Sequence, residues 1–276
     1  MAKYLALAID FKKFTPSIID TGKFLTNSVY KGSSLILFHI IEYLLTPPAY
    51  LLPYLNVEKE RIEKELKSMT ATLQKEGYDA QEKVLLGEFW TALDHFVDTY
   101  RPELIVLGYE PHFFKVPTAE KILERFDWNY LVVKGKPLVQ LKRILCPFDF
   151  SESSFKALRL SAHFARESSA ELMILHVIRP PDLADKTARL RFISEKEREI
   201  KEEWETIPKE DLLTDIESRF EITFGDEADL ILNEISSREI DLIVMGKRGK
   251  ILKSGLGWLS KAILKSASIP VLLATS

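Results

Sequence analysis

One cysteine, Cys146, in 276 residues leaves no disulfide framework within the chain. It lies in an apolar run, the setting of a buried, inert thiol in a reducing compartment. Long hydrophobic runs are missing as well. The richest stretch, 35–55, is broken by Glu42, Pro47, Pro48 and Pro53, so it reads as a strand and a loop and not as a membrane span. The first nine residues are too short for a secretory leader and lack its small-residue cleavage pattern. A cytoplasmic protein with no membrane partner is expected. Charge of one sign is not in excess: the net charge of -3 makes no whole-molecule case for a nucleic-acid partner. His95, His112 and His163 fall in different segments without H-E-x-x-H spacing, which speaks against a metal site. No Ser, Thr or Cys sits in a nucleophile motif, so no catalytic residue is assigned, and any ATP hydrolysis is expected to be slow for want of a positioned general base. Acidic residues are absent from one place in particular. None follows Asp241.

What is present alternates. An apolar run at 4–9 ends in Asp10. Thr15 then reads as an N-cap with Pro16 at the first helical position, predicting a helix to about residue 30. A second buried strand is expected at 35–41, then a loop at 47–53 with exposed Tyr50, Leu51 and Leu52. That apolar loop covers a neighbouring surface or docks a partner. From Val57 a long helix carries Ile62, Leu66, Met69 and Leu73 on one face. Strands at 83–86, 104–107 and 130–133 alternate with a helix striped by Phe89, Leu93 and Phe96 and a short one at 119–125. Gly135, Lys136 and Pro137 read as a linker.

The same order then starts again. The run 144–148 ends in Asp149, as the first ended in Asp10, and Ser151 caps a helix with Phe155, Leu158, Ala162 and Ala165 on one face. Leu37-Phe38-His39-Ile40-Ile41 returns as Ile174-Leu175-His176-Val177-Ile178, which gives His39 and His176 a shared structural role. A highly charged helix is expected at 194–206, with i,i+4 pairs such as Glu197 and Lys201. Strands at 220–224, 242–245 and 270–273 flank helices that carry Ala228, Ile231, Leu232 and Ile235, and then 259–268. Gly87 and Gly108 are 21 residues apart, as are Gly225 and Gly246, and Gly108 lies 138 residues before Gly246, half the chain. The chain is an internal duplication: two tandem doubly wound α/β domains, each with a five-stranded parallel sheet, at 1–135 and 141–276.

One stretch organises the second half. Leu242, Ile243, Val244 and Met245 form an apolar run without alternation, as a strand buried on both faces requires. Gly246 and Gly249 follow, then a helix. Backbone N–H groups and a helix dipole at such a junction hold anions. Lys247, Arg248, Lys250 and Lys253 add positive charge. On spacing alone, a phosphate cradle and a plain glycine loop with solvated lysines both remain open.

Asp149-Phe150-Ser151-Glu152-Ser153-Ser154, Leu175-His176-Val177-Ile178, Gly225-Asp226, the nine residues from Asp241 to Gly249, and the ending Ile269-Pro270-Val271-Leu272-Leu273 together resemble the universal stress protein family. The resemblance covers the second half strongly and the first through its repeat. It implies a tandem member whose two domains mimic the family's dimer by pairing their fifth strands, with a further homodimer left open. It also implies a stress-linked cytoplasmic protein whose relatives in many cases bind ATP. In those relatives the phosphate motif is Gly, two residues, Gly, nine residues, Gly, then Ser or Thr. Here Gly246 and Gly249 match the start, Gly257 follows after only seven residues, Trp258 stands in the hydroxyl position, and Ser260 comes two positions late. Carried over, Asp149 meets the ribose, Val177 offers backbone to the adenine, and Gly246, Arg248 and Gly249 line the phosphates, with Met245 a further nucleotide-binding residue. The expected cofactor is ATP or another adenine nucleotide, with or without magnesium.

In the first half, Tyr109, Glu110, Pro111, His112 and Phe113 follow Gly108, and no glycine comes before Gly135. That site reads as dead. The expected function is a nucleotide-responsive stress protein acting on an unidentified protein partner. The alternative is an interaction scaffold of the same fold that binds no nucleotide.

Overall fold

The computed structural model describes residues 3–43, 52–110, 118–182, 185–249 and 255–275. Its contacts divide the chain into two compact units, Met1–Glu110 with Asn129–Val139, and Pro111–Trp128 with Gln140–Ser276.

In the first unit, β1 (Tyr4–Ala8), α1 (Thr15–Ser28), β2 (Ser34–Glu42), α2 (Leu52–Lys75), β3 (Ala80–Gly87), α3 (Phe89–Tyr100) and β4 (Leu104–Gly108) follow in order. After α4 (Thr118–Arg125), whose residues pack with the second unit, β5 (Tyr130–Val133) completes a parallel sheet of order β3-β2-β1-β4-β5. The middles of the central strands are apolar because helices cover both faces. Leu5, Ala6, Leu7, Leu35, Ile36 and Leu37 are fully buried.

The second unit repeats the plan. It contains β6 (Arg143–Pro147), α5 (Glu152–Ser168), β7 (Glu171–Ile178), α6 (Lys186–Glu205), a one-turn α7 (Glu210–Leu213), β8 (Ser218–Phe224), α8 (Glu227–Ser237), β9 (Leu242–Gly246), α9 (Trp258–Ser266) and β10 (Val271–Ala274). Its parallel order is β8-β7-β6-β9-β10. The order reverses between β6 and β9, the switch point where open α/β sheets leave a crevice at the carboxyl ends of the strands.

Three expectations change. Thr15 is not a cap. Phe14 precedes the helix in a right-handed helical conformation with no capping side chain, and Thr15 instead donates its hydroxyl to Asp10 Oδ1 at 3.2 Å. The second helix begins at Leu52, because Pro53 falls in its first turn, where a missing N–H costs nothing. Helix α6 starts eight residues before the expected 194, capped by Asp185, whose side chain accepts from Thr187 N at 2.9 Å. Tyr50 and Leu51 of the expected apolar loop, and His112, lie outside the described residues. Ser151 caps α5 as expected, accepting from Ser154 N at 3.1 Å. The shared histidine role is also visible. His39 Nδ1–H donates to Ile9 O at 2.6 Å and His176 Nδ1–H to Phe148 O at 2.7 Å. A carbonyl only accepts, so the proton sits on Nδ1, and each ring ties the end of β2 or β7 to the strand beside it. Burial pushes the Cys146 thiol up to about 12, which keeps it unreactive. Among the described residues no helix is long and apolar enough to cross a membrane.

Candidate functional site

A pocket of about 480 Å³ opens at the carboxyl ends of β6, β7 and β9. Asp149, Val177, Met245, Gly246, Arg248, Gly249, Gly257, Trp258 and Ser260 all line it, so the nine residues expected at the nucleotide meet at one place, while Lys247 does not line it. Local rules bring them there. Asp149 ends the β6 segment and closes a tight turn, its Oδ1 accepting from Ser151 N at 3.0 Å, while Oδ2 faces Gly249. Val177 lies two residues beyond Leu175, the last residue of β7 paired with β6. Leu175 O accepts from Phe148 N, toward β6, and Ile178 O accepts from Gly225 N, toward β8. Strand alternation therefore turns the Val177 N–H and C=O to the side that β6 no longer covers.

Gly246 is a packing requirement. A Cβ there would sit 2.5 Å from Ser153 Oγ and 2.9 Å from the Ser153 carbonyl carbon, so only glycine lets the start of α5 approach β9. Gly249 differs: among the described residues its Cβ would meet only Asp149 Oδ2, at 3.4 Å, an ordinary van der Waals contact on the pocket side. Gly257 precedes α9 and supplies no capping side chain, and the first turn of that helix carries no acidic residue. Its leading N–H groups at Trp258, Leu259 and Ser260 are orphan donors on the pocket wall. Ser260 is buried and donates its hydroxyl to Gly246 O at 3.0 Å, so its hydrogen pins α9 to the end of β9 and its lone pairs alone face a ligand. Trp258 is 58% exposed. The indole therefore stands at the pocket mouth and does not plug it.

The positive charge is held in place and not freely solvated. Lys247, 1% exposed, donates from Nζ to Phe126 O at 2.7 Å and Asp127 Oδ1 at 2.8 Å. Arg248 pairs with the same carboxylate and donates from Nε to Gly255 O at 3.3 Å. Burial alone would raise Asp127, but the hydrogen bonds from Lys247 and Arg248 overcome it and hold the carboxyl below its ordinary value. Burial is the main cause that lowers Lys247. Among the described residues, two cations against one carboxylate leave one net positive charge. Lys250 and Lys253 lie outside the described residues.

Because the folded carboxyl of Asp127 is depressed, its contribution to stability is present above the unfolded carboxylate value and fades as pH falls through the lower folded one, below roughly pH 4. Asp127→Asn is expected to cost about 1–3 kcal/mol at pH 7, less than a fully buried pair because Asp127 is half exposed. Denaturant unfolding at pH 7 and pH 3 checks this. The gap between wild type and variant should shrink at pH 3, and a constant gap would show that the carboxylate's charge is irrelevant.

Sequence reasoning missed several lining residues. Phe148, Leu175, Ile231, Leu259 and Glu227 were not singled out for the site, and Asp127 reaches Lys247 across 120 residues of chain. In the first unit it missed Phe14, the repeat equivalent of Ser153. Phe14 packs on Gly108, where a Cβ would lie 2.6 Å from the Phe14 Cβ, and Phe14 and Tyr109 are both buried. The small hydroxyl residue of the second unit is replaced there by a ring.

Residues 140–275 match the model of the Universal stress protein family. The curated protein "Universal stress protein YxiE" of Bacillus subtilis (strain 168) is 30% identical over 145 residues, 48% of this chain and 97% of that protein. A crystal structure of a universal stress protein from Archaeoglobus fulgidus DSM 4304 matches 99% of this chain and 98% of its own at a TM-score of 0.72, and at 21% identity that likeness shows the fold alone. A universal stress protein solved in complex with cAMP matches 49% of this chain and 98% of its own, at 20% identity and a TM-score of 0.34.

Proposed function

This chain belongs to the universal stress protein family, and from that premise we propose that its second unit binds an adenine nucleotide and passes the bound state to a protein partner in a stress response. The observation that carries the reading is the convergence of Asp149, Val177, Gly246, Gly249 and the uncapped start of α9 on one pocket. The base lies against Leu175, Val177 and Ile231, which offer apolar walls and outward backbone groups. The ribose hydroxyls meet Asp149 Oδ2. The phosphates lie over Gly246 and Gly249, against the α9 amides and Arg248. A cradle that a Cβ at Gly249 would fill is the fit expected of a close backbone–phosphate approach. Among the described residues no cluster of three His, Cys, Asp or Glu side chains is placed to hold a metal ion, so any magnesium arrives on the phosphates.

One observation favours the alternative scaffold reading, in which the fold serves binding without nucleotide. Arg248 already has Asp127 as its counter-ion, and a triphosphate must compete with that carboxylate for the guanidinium.

Trp258 supplies the test. ATP added to the intact protein should change tryptophan emission saturably, and Trp258→Phe should remove most of the change. Trp258→Ser should tighten binding roughly tenfold by restoring one charge-assisted hydrogen bond. Its stability should stay within about 0.5 kcal/mol of wild type, as for an exposed side chain. Silence of both proteins at millimolar ATP would overturn the nucleotide reading and leave the scaffold.

A further inference from the structure

Glu227 opens α8 on the wall of the pocket. Its neighbour Asp226 caps the helix, accepting from Ala228 N at 3.1 Å and Asp229 N at 3.3 Å, so Glu227 is not needed for that task. Ile231 lies one turn further on the same face, and both line the pocket. Glu227 Oε2 is buried without a hydrogen-bond donor. Its ion-pair partner is Arg179 at 3.5 Å, a guanidinium it shares with Asp226. The pocket's own hydroxyl donors are occupied: Ser154 Oγ–H serves Ser151 O at 2.9 Å, and Ser260 Oγ–H serves Gly246 O at 3.0 Å. The Arg248 guanidinium is engaged with Asp127 and Gly255 O. Glu227 therefore keeps acceptor capacity beyond its ion pair with Arg179, and its partly exposed side chain brings that capacity to the pocket wall. The walls beside it are Leu175, Val177 and Ile231, an apolar slot suited to a base, whereas the other pocket carboxylate, Asp149, sits toward the glycine loop.

Resting on the nucleotide reading above, we infer that Glu227 selects the base: its carboxylate accepts a hydrogen bond from the exocyclic amine of adenine. Guanine placed the same way presents O6, an acceptor, to the same oxygen and is repelled. The site thus discriminates among purines by a side chain, beyond any contact that the Val177 backbone makes.

The test titrates the full chain and its Glu227→Ala and Glu227→Gln variants with four probes: ATP, GTP, 2′-deoxy-ATP, and purine riboside triphosphate, which lacks the amine. The wild type should prefer ATP over purine riboside triphosphate by about ten- to a hundredfold, the worth of a hydrogen bond to a charged group. GTP should bind more weakly still. Glu227→Ala should level the ATP and purine riboside triphosphate affinities, and Glu227→Gln, which keeps the shape and one oxygen acceptor, should retain part of the preference. Thermal midpoints taken beside each titration confirm that the variants are folded. Equal wild-type affinities for ATP and purine riboside triphosphate would overturn the role of Glu227 while leaving nucleotide binding intact. An effect of Glu227→Ala confined to the ATP to 2′-deoxy-ATP ratio would overturn the base assignment in favour of the ribose. No saturation by any probe would remove the nucleotide reading and this inference with it.

Discussion

Valine in place of Gly249 is expected to weaken ATP binding by about a hundredfold or more, equivalent to the loss of about 2.7 kcal/mol or more. The thermal midpoint should move by no more than about 2 °C, the scale of a harmless surface substitution. The separation follows from geometry. Among the described residues the one atom that a Cβ at Gly249 would meet is Asp149 Oδ2 at 3.4 Å, and Gly249 is not in the left-handed region that favours glycine. The new side chain therefore has room in the protein and takes its volume from the pocket, between Asp149 and the loop. Gly246→Ala is the contrasting control. Its Cβ would strike the Ser153 backbone, so overpacking should lower stability by about 1–3 kcal/mol whether or not a ligand is present. Calorimetric titration and thermal unfolding of the two variants check the pair. Unchanged ATP affinity in Gly249→Val would mean that the phosphates do not lie over this loop.

The second large effect belongs to the first unit. Phe14→Ala should destabilise the protein by about 3–5 kcal/mol, the usual cost of removing a core aromatic ring. Phe14 is buried against Gly108, at the position that Ser153 holds beside Gly246 in the second unit. The variant should nevertheless gain no second ATP. Tyr109 stays buried beside Gly108, and Glu110, paired with Lys13, keeps a negative charge at the strand end. Denaturant unfolding measures the first part, and ATP stoichiometry the second. A loss below about 1 kcal/mol would show that Phe14 packs loosely. A second bound ATP would show that Phe14 alone closes the site.

Strands such as β1, β4, β9 and β10 are legible in the sequence because they are buried on both faces and need apolar runs, whereas β3 and β8 are only half-buried and carry polar residues. β5 appears at Tyr130–Val133, as read. Helix α6 is legible only in part, since it buries just Ile200 and Trp204 and so carries almost no apolar period to mark its start. The site residues that could be read stand at strand ends and in glycine loops, where chain order alone dictates position. Asp149, Gly246 and Gly249 are of this kind. Phe14, Asp127 and Glu227 were illegible because their roles depend on tertiary contacts. Phe14 reads as any apolar residue beside a helix start, Asp127 finds Lys247 only in the folded unit, and Glu227 looks like an ordinary first-turn acid until a pocket wall forms around it.

The central claim is one nucleotide site per chain, in the second unit. Isothermal titration of the intact protein with magnesium ATP, after acid quenching of a parallel sample to detect any nucleotide already bound, tests it most directly. Saturation at one ATP per chain is expected in the wild type, with that binding lost in Gly249→Val. No saturable heat up to millimolar ATP in nucleotide-free protein, or one ATP per chain that persists undiminished in Gly249→Val, would contradict it.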